Sequence, residues 1–515
     1  MFELDAQKML SASAAVGALP GAREPLRRGP RQLSPAAVEA ASEITRAAYS
    51  PIVVAGFMRV IESAVIALVG ALIYFIYVVR LEGFSWPYIW AIAGITAMSI
   101  VAFQAVDIYH VHAFRRPMHQ MARLISAWSV VFLMMTAASF FLKSDQVFSR
   151  VWLVSYWAIG LVALMIGRTI LYTLVRSWMR DGRLTRRTVI VGGGSPGESL
   201  IEALKSQDDS DVQVVGVFDD RNDDRSPDAC AGYPKLGTVD DFVEFARRTR
   251  IDLVIFSLPI SAENRILQML KKLWVLPVDI RLSAHSNKLR FRPRSYSFIG
   301  SVPVLDVLDR PIADWDVVMK WLFDKIVGGA MLLAALPIMA VIAILIKLDS
   351  RGPVLFKQKR YGFNNDLIEV YKFRSMYVDQ CDATANNLVT KGDPRVTRVG
   401  RFIRKASLDE LPQLFNVVFK GNLSLVGPRP HAVNAKAAAR LYDEAVDGYF
   451  ARHRVKPGVT GWAQINGWRG ETDTHEKIQK RVEYDLYYIE NWSVLFDLYI
   501  VAMTPIALLK SENAY

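Results

Sequence analysis

Five stretches of this 515-residue chain are too apolar, over too great a length, to be ordinary surface helices. Ser63 to Val79, Ser85 to Val106, Leu124 to Leu142 and Val151 to Gly167 follow one another, and Ile326 to Ile346 stands alone much later. Roughly 20 helical residues cover the ~30 Å hydrocarbon core of a bilayer, where backbone polar groups must be satisfied within the segment itself. Helices are the outcome. The first and fourth runs are short between charges, but each extends a turn past an arginine, Arg59 or Arg168, whose side chain can snorkel to the interface.

Basic residues set the orientation. Arg23, Arg27, Arg28 and Arg31 precede the first run, Arg115 and Arg116 follow the second, and Arg176, Arg180, Arg183, Arg186 and Arg187 follow the fourth. Positive charge stays on the cytoplasmic side, so both ends of this four-helix block are expected there. The first long apolar run begins too late for a cleavable signal, and residues 1–50, rich in Ala, Pro and Arg, read as a cytoplasmic, partly disordered tail. Ile326 to Ile346 has Lys320 and Lys325 before it and Lys347, Arg351, Lys357, Lys359 and Arg360 after it. Positive charge on both sides argues that both ends remain cytoplasmic. Pro337 removes a central hydrogen bond, so a re-entrant helical hairpin is expected.

Between the membrane segments, Thr188 to Val191 feeds Gly192-Gly193-Gly194-Ser195-Pro196-Gly197 and then a helical Glu198 to Lys205. This is G-x-G-x-x-G between strand and helix, a tight turn whose N–H groups can meet a pyrophosphate. Strands at Val212 to Phe218, ending in Asp219-Asp220, and at Asp252 to Leu258 complete a Rossmann-like α/β pattern. Gly192, Gly194 and Gly197 are the candidate nucleotide-binding positions. The same glycines could equally serve only the strand-to-helix connection.

The chemistry concentrates later. In Arg404-Lys-Ala-Ser-Leu-Asp-Glu-Leu-Pro-Gln-Leu-Phe-Asn416, the apolar residues Leu411, Leu414, Phe415 and Val418 recur at helical spacing, and Pro412 is tolerated only in a first turn. A helix is expected to start near Glu410, placing Asp409 and Glu410 at its positive end, where carboxylates are favoured in ionised form. An ionised Asp can be a nucleophile, or can merely cap. Lys357, Lys359, Arg360, Lys372, Arg374, Arg401, Arg404, Lys405 and Arg429 surround the pair, interleaved with Gly and Pro turns, as in a cradle for phosphate.

Net charge +12 suits anionic lipid heads and phosphorylated substrates here, because basic residues flank apolar segments and crowd the carboxylate pair. No RNA-binding or zinc-finger signature is present, so no nucleic-acid partner is expected. Cys230 and Cys381 lie too far apart in sequence for a CxxC metal site or a disulfide framework. His431 and His453 read as surface or structural histidines.

From about Trp321 onward the chain resembles the monotopic phosphoglycosyl transferases, bacterial sugar transferases that start polysaccharide assembly on a polyprenol carrier. The matching words are Phe356-Lys-Gln-Lys-Arg-Tyr-Gly362, Lys372-Phe-Arg-Ser-Met376, Ser407-Leu-Asp-Glu-Leu-Pro-Gln413, Leu425-Val-Gly-Pro-Arg-Pro430 and Gly458-Val-Thr-Gly-Trp-Ala-Gln464. Four membrane helices and a Rossmann-like module look like the large form of that family. The resemblance implies that Asp409 attacks the β-phosphorus of a UDP-sugar, expels UMP and passes the phosphosugar to undecaprenyl phosphate. It further implies that Glu410 holds Mg²⁺ and that Arg404, Arg429 and Lys372 neutralise phosphate oxygens, with Arg374 among the substrate-binding cations. Gln464, Asn466 and Arg469 follow a Gly-rich turn and are candidates to meet the nucleotide or sugar; Asp485 and Tyr488 are candidate supporting or substrate groups. The closing Asn513-Ala514-Tyr515 is similar to the ending of the branch that transfers glucose 1-phosphate, for exopolysaccharide or capsule synthesis. Implied partners are inner-membrane lipids, a second copy of the chain, and downstream glycosyltransferases.

The expected fold class is a multi-domain membrane protein. Its parts are the tail 1–50, a four-helix transmembrane block 51–180, a Rossmann-like domain 184–285 and an irregular linker 286–320. A mainly helical α+β catalytic domain, 321–515, is anchored by a re-entrant helix 326–346. The rival reading, a membrane-tethered NAD-dependent sugar-nucleotide dehydratase, needs a Tyr-x-x-x-Lys pair. None occurs in the chain.

Overall fold

A computed structural model describes residues 32–43, 48–109, 117–141, 147–207, 211–221, 228–259, 262–284, 297–300, 302–378, 393–431, 436–437, 440–441, 449–468 and 474–510. The chain divides into two compact units, Ile44–Arg186 and a larger one made of Met1–Glu43 with Arg187–Tyr515.

The described end of the tail carries a short helix. Helix α1 (Pro35–Ser42) begins on Ser34, whose hydroxyl accepts from Ala37 N and donates to Leu236 O at 2.7 Å. Leu33 and Ala37 are buried in the core of the Rossmann-like module, and Arg187 holds Glu43 at 2.9 Å. Small alanines let a short helix lie close, which composition alone read as disorder.

The unit Ile44–Arg186 contains α2 (Pro51–Ile73), α3 (Trp86–Ala105), α4 (Pro117–Phe141) and α5 (Arg150–Arg180). A π turn at Tyr74–Val78 carries α2 on through Glu82. All four are long and apolar enough to cross a membrane. α2 and α5 outrun their apolar segments because Ser50 and Pro51 start α2 early and because α5 does not stop at Arg168. Arg168 does not snorkel: it is buried, with its Nε 2.6 Å from Glu62 and its NH1 3.2 Å from Ile108 O. A paired charge is tolerable inside apolar surroundings where a lone one is not.

In the larger unit, eight strands form one sheet: β1 (Arg186–Val191), β2 (Val212–Phe218), β3 (Ala229–Cys230), β4 (Tyr233–Gly237), β5 (Leu253–Phe256), β6 (Asp279–Ser283), β7 (Ser297–Ile299) and β8 (Val302–Leu308), in the order β3-β4-β2-β1-β5-β6-β8-β7. β1, β5 and β6 pair in parallel, as do β2 and β4. Helices α6 (Ser195–Lys205), α7 (Val239–Arg248) and α8 (Glu263–Leu273) accompany them. Chain order reverses beside β1, so the glycine turn sits at the switch point of a doubly wound sheet. β7 and β8 are antiparallel additions in what the sequence left to an irregular linker; Val302 and Val304 point into the sheet core while Pro303 and Leu305 are only half-buried.

Ile326 to Ile346 lies within one helix, α9 (Asp314–Asp349), with Pro337 inside it and no intervening turn. Asp324, Gly328, Leu332, Ala335, Met339, Ile342 and Ile346 are buried at three- and four-residue spacing, with Phe323 beside the first of them, so one stripe packs against the catalytic domain along nearly the whole helix. Ile326, Leu333, Val341, Ile344 and Leu348 remain exposed. Both ends are tied to that domain. Near the start, Asp324 accepts from Ser424 Oγ and Leu425 N, and Lys320 donates to Val426 O. At the end, Asp349 accepts from Val399 N at 3.1 Å. The domain adds β9 (Leu355–Tyr361) and β10 (Leu367–Phe373) as a hairpin, α10 (Arg398–Lys405), β11 (Ser424–Val426), α11 (His475–Glu490) and α12 (Val494–Lys510).

Candidate active site

Asp409 and Glu410 lie in a 3₁₀ turn, Leu408–Glu410, ahead of a helical run made of Gln413–Phe415 and a π turn, Asn416–Lys420. Ser407, just before them, holds a left-handed φ of 55°, a conformation costly for a non-glycine residue. Asn416 is fully buried and pins this run to β10: its Oδ1 accepts from Tyr371 N at 2.9 Å and its Nδ2 donates to Glu369 O at 2.7 Å. That pin places the neighbouring Lys372 over the acidic pair.

Strand alternation decides which cations reach the site. On β9, Lys357 and Lys359 are exposed while Gln358 and Arg360 turn inward, so part of the basic run is a solvated face. Arg360 donates to Gln358 Oε1 and to Pro430 O. Lys372 Nζ lies 2.8 Å and Arg429 NH2 2.6 Å from Glu410 Oε1. Burial pushes the Glu410 carboxyl up, but Arg429 and Lys372 outweigh it and hold the group well below the usual carboxylate range. Asp409 accepts no hydrogen bond among the described residues. Burial raises its carboxyl; Lys372, Arg404 and Arg429 pull down, and the Glu410 charge pushes up. Burial likewise lowers Lys372 and takes Arg360 down to about 10. Arg404 has no carboxylate within ion-pair distance among the described residues, leaving its charge for a ligand.

Arg429 is positioned from behind. β11 pairs with the strand Gly458–Thr460, and Gly427 N donates to Thr460 O at 2.9 Å. A Cβ on Gly458 or Gly461 would come within 2.1 or 2.3 Å of Gly427 backbone, so only glycine lets these segments touch. Buried Arg452 donates to Arg429 O at 2.8 Å and to Asp485 Oδ2 at 2.6 Å. Its other side meets His431 Nδ1 at 2.7 Å, and Arg481 stands 3.2 Å from His431 Nε2. Burial and the flanking guanidiniums hold the His431 ring neutral. Gln464 is nine-tenths buried, with its Nε2 lacking a partner among the described residues. A buried amide left unpaired costs about 1–3 kcal/mol, which a ligand oxygen would repay.

Residues 315–511 match the bacterial sugar transferase family, and residues 104–284 match a CoA-binding domain family. The chain is 33% identical over 466 residues to a UDP-glucose:undecaprenyl-phosphate glucose-1-phosphate transferase of Xanthomonas campestris pv. campestris, covering 89% of this chain and 94% of that one. The chain belongs to the bacterial sugar transferases. It is also 41% identical over 373 residues to an undecaprenyl-phosphate glucose phosphotransferase of Komagataeibacter xylinus, covering 71% of this chain and 66% of that protein. An exopolysaccharide production protein, PSS, of Rhizobium leguminosarum bv. phaseoli aligns over its whole length with 39% of this chain, at 47% identity over 200 residues.

Within this transferase, the structure brings Lys372, Arg404 and Arg429 around Asp409 and Glu410, and sends other candidates elsewhere. Arg374 is buried and caps the end of α9, donating to Ser350 O, Ser350 Oγ and Arg351 O at 2.8, 3.0 and 2.5 Å, so it is not free for substrate. Asp485 is buried behind Arg429 and supports it. Tyr488 bonds Asp497 at 2.8 Å and Val426 O at 3.1 Å, steadying β11. Arg469 lies outside the described residues. In the glycine turn, Gly192 and Gly194 have positive φ and a Cβ on Gly197 would sit 2.7 Å from Gly192 O, so the turn requires all three whatever it binds. The Asp219 carboxylate accepts from Gly193 N at 2.7 Å and pairs with Arg221, so this N–H of the turn is already engaged. Sequence reasoning missed the roles of Arg452, Arg481 and Asn416: the two arginines lie outside any motif, and Asn416, although it closes the stretch from Arg404, carries no sequence signal of its burial.

Proposed function

We propose that this transferase moves glucose 1-phosphate from UDP-glucose to undecaprenyl phosphate, releasing UMP, as the first membrane step of exopolysaccharide synthesis. The observation that carries the reading is an acidic pair with divided duties: Glu410 engaged by two cations, and Asp409 beside it with no hydrogen bond. The names of the Xanthomonas and Komagataeibacter relatives support the donor and the acceptor.

An ionised Asp409 oxygen attacks the β-phosphorus, and the bond to the bridging oxygen breaks with its electron pair leaving on UMP. An oxygen of undecaprenyl phosphate then attacks the same phosphorus, frees the Asp409 carboxylate and forms a diphosphate-linked sugar. Covalent catalysis divides one transfer into two steps. Lys372, Arg404 and Arg429 offset the charge of phosphate oxygens as bonds change, the kind of preorganised stabilisation whose loss commonly costs roughly 10²–10³ in rate. Gln464, with a buried amide nitrogen that has no partner among the described residues, would meet the donor.

The residues fit Mg²⁺, which takes one or two carboxylates plus substrate phosphates. Glu410 presents its second oxygen, which accepts no hydrogen bond among the described residues, and no cluster of three or more metal-ligating side chains competes among those residues. When bound, the ion would neutralise diphosphate charge.

The catalytic domain faces the cytoplasm of the inner membrane in this reading, with both ends of α9 on that side. Its buried stripe and its bonds at both ends support this, since a helix crossing the bilayer would carry one end away from the domain. Protease protection of tags after Arg187 and after Tyr515 should report one side; opposite sides would exclude it. For the chemistry, labelled UDP-glucose without acceptor should leave label on Asp409 and none on an Asp409→Asn variant. Label on another residue refutes the nucleophile, and preference for UDP-galactose or a UDP-N-acetyl sugar refutes the sugar.

A further inference from the structure

The β9–β10 hairpin brings Arg360 and Lys372 to the site, and its tip is gripped by the Rossmann-like module. Asn364 Nδ2 donates to Ala246 O, in the last turn of α7, at 3.1 Å. The next residue of that helix, Arg247, places its guanidinium 5.2 Å from the ring of Phe450, which packs edge-on against Tyr361. His453 Nδ1 meets Asn365 Oδ1 on the other side of the tip. Asn364 and Asn365 both hold left-handed φ, 52° and 63°, in the turn. Two adjacent non-glycine residues in that region cost free energy, and surrounding contacts must hold them. Tyr361 follows Arg360 directly, so the grip acts one residue from a guanidinium that bonds the loop carrying Arg429.

The module is firmly seated. Trp274 belongs to the catalytic core, Val275 and Leu308 pack on both cores, and Arg454 donates to Asp309 O at 2.9 Å. At its other end α7 is capped by Thr238, and Asp220 Oδ1 also accepts from Val239 N at 2.8 Å, next to the Asp219 that accepts from Gly193 N in the glycine turn. Helix α7 is therefore a rigid strut from the rim of that turn to the tip of the hairpin, about 15 Å long at 1.5 Å per residue.

We propose that the Rossmann-like module clamps the catalytic hairpin, with Asn364 and Arg247 as positioning residues that act through Tyr361 to set Arg360 against the diphosphate. This rests on the transfer reading only for its catalytic consequence. The test uses the full chain in membranes or detergent. Asn364→Gly deletes the side-chain bond while keeping a backbone that glycine adopts freely, and Arg247→Ala removes the guanidinium over Phe450. Loss of one such contact should raise amide exchange across residues 355–373 roughly two- to tenfold, with β1 and β5 unchanged. Turnover of UDP-glucose should show a raised KM with kcat less affected, and Arg247→Lys should restore both readouts. Unchanged exchange in the hairpin of both variants overturns the clamp whether or not UDP-glucose is the donor. Faster exchange with unaltered KM overturns its role in the reaction, as does a rise in exchange spread equally over the module.

Discussion

Replacing Glu410 by Gln tests the division of labour in the acidic pair. The carboxylate accepts from Lys372 at 2.8 Å and Arg429 at 2.6 Å through one oxygen. Hydrogen bonds to charged groups contribute about 1.5–3 kcal/mol each. The three side chains are only 14%, 15% and 24% exposed, so screening removes a minor part, but glutamine keeps one neutral bond. A net loss of about 2–3 kcal/mol in the ordering of the two cations is expected, or a rate of UMP release lower by about 30- to 150-fold. A Glu410 that only caps the helical run would lose far less, because the amide oxygen caps nearly as well.

The same variant carries a signed pH effect. Asp409 is raised by burial first, opposed by Lys372, and raised again by the Glu410 charge. Neutralising Glu410 removes that last push and frees Lys372 and Arg429 to act on Asp409, so its carboxyl must fall. In the proposed mechanism Asp409 attacks only when ionised, so activity should drop as pH falls through its value, and in Glu410→Gln the acid limb of UMP release should move to lower pH, at reduced amplitude. A stopped-flow or coupled UMP assay across the acid range reads both. A rate within fivefold of the parent, or an acid limb that stays or moves upward, refutes the arrangement.

In the parent enzyme the acid limb should lie above the ordinary Asp value of 3.8, since burial dominates, and a limb at or below it would place the nucleophile elsewhere. Arg452→Met keeps volume but drops the bonds to Arg429 O and Asp485; kcat should fall roughly tenfold or more with UDP-glucose affinity less changed, read by steady-state kinetics. Asp485→Asn should fall less, because the amide oxygen still accepts from Arg452. Gly400→Ala gains up to ~1 kcal/mol of helix propensity, yet its Cβ would sit 2.0 Å from Ser375 O, a backbone atom that cannot step aside. A net destabilisation of about 1–3 kcal/mol is expected by thermal unfolding, and a more stable variant would contradict the packing.

The parts of this fold that sequence disclosed are those governed by period and by local backbone need. Long apolar runs had to be helices, and the glycine turn after Val191 had to join strand to helix, because both follow from constraints within a few residues. Even the site lay open where motif words placed carboxylates and cations on neighbouring turns. What stayed hidden depends on distant partners. Arg374 and Lys372 are two residues apart on one edge of a hairpin, yet the first caps α9 and the second meets Glu410; only the position of the α9 C-terminus decides between them. Arg168 was read as a snorkelling end, when Glu62 a helix away makes its burial tolerable. Arg429 carries the same lesson into function. Its charge is legible in Gly-Pro-Arg-Pro, but its aim comes from Arg452 and Asp485, and the hairpin opposite is held by a module with no residue at the chemistry. The proposed clamp would act on a site whose candidate charges, Arg360, Lys372, Arg404, Asp409, Glu410 and Arg429, all lie within residues 360–429, and its contribution should appear in the placement of those charges rather than in their presence.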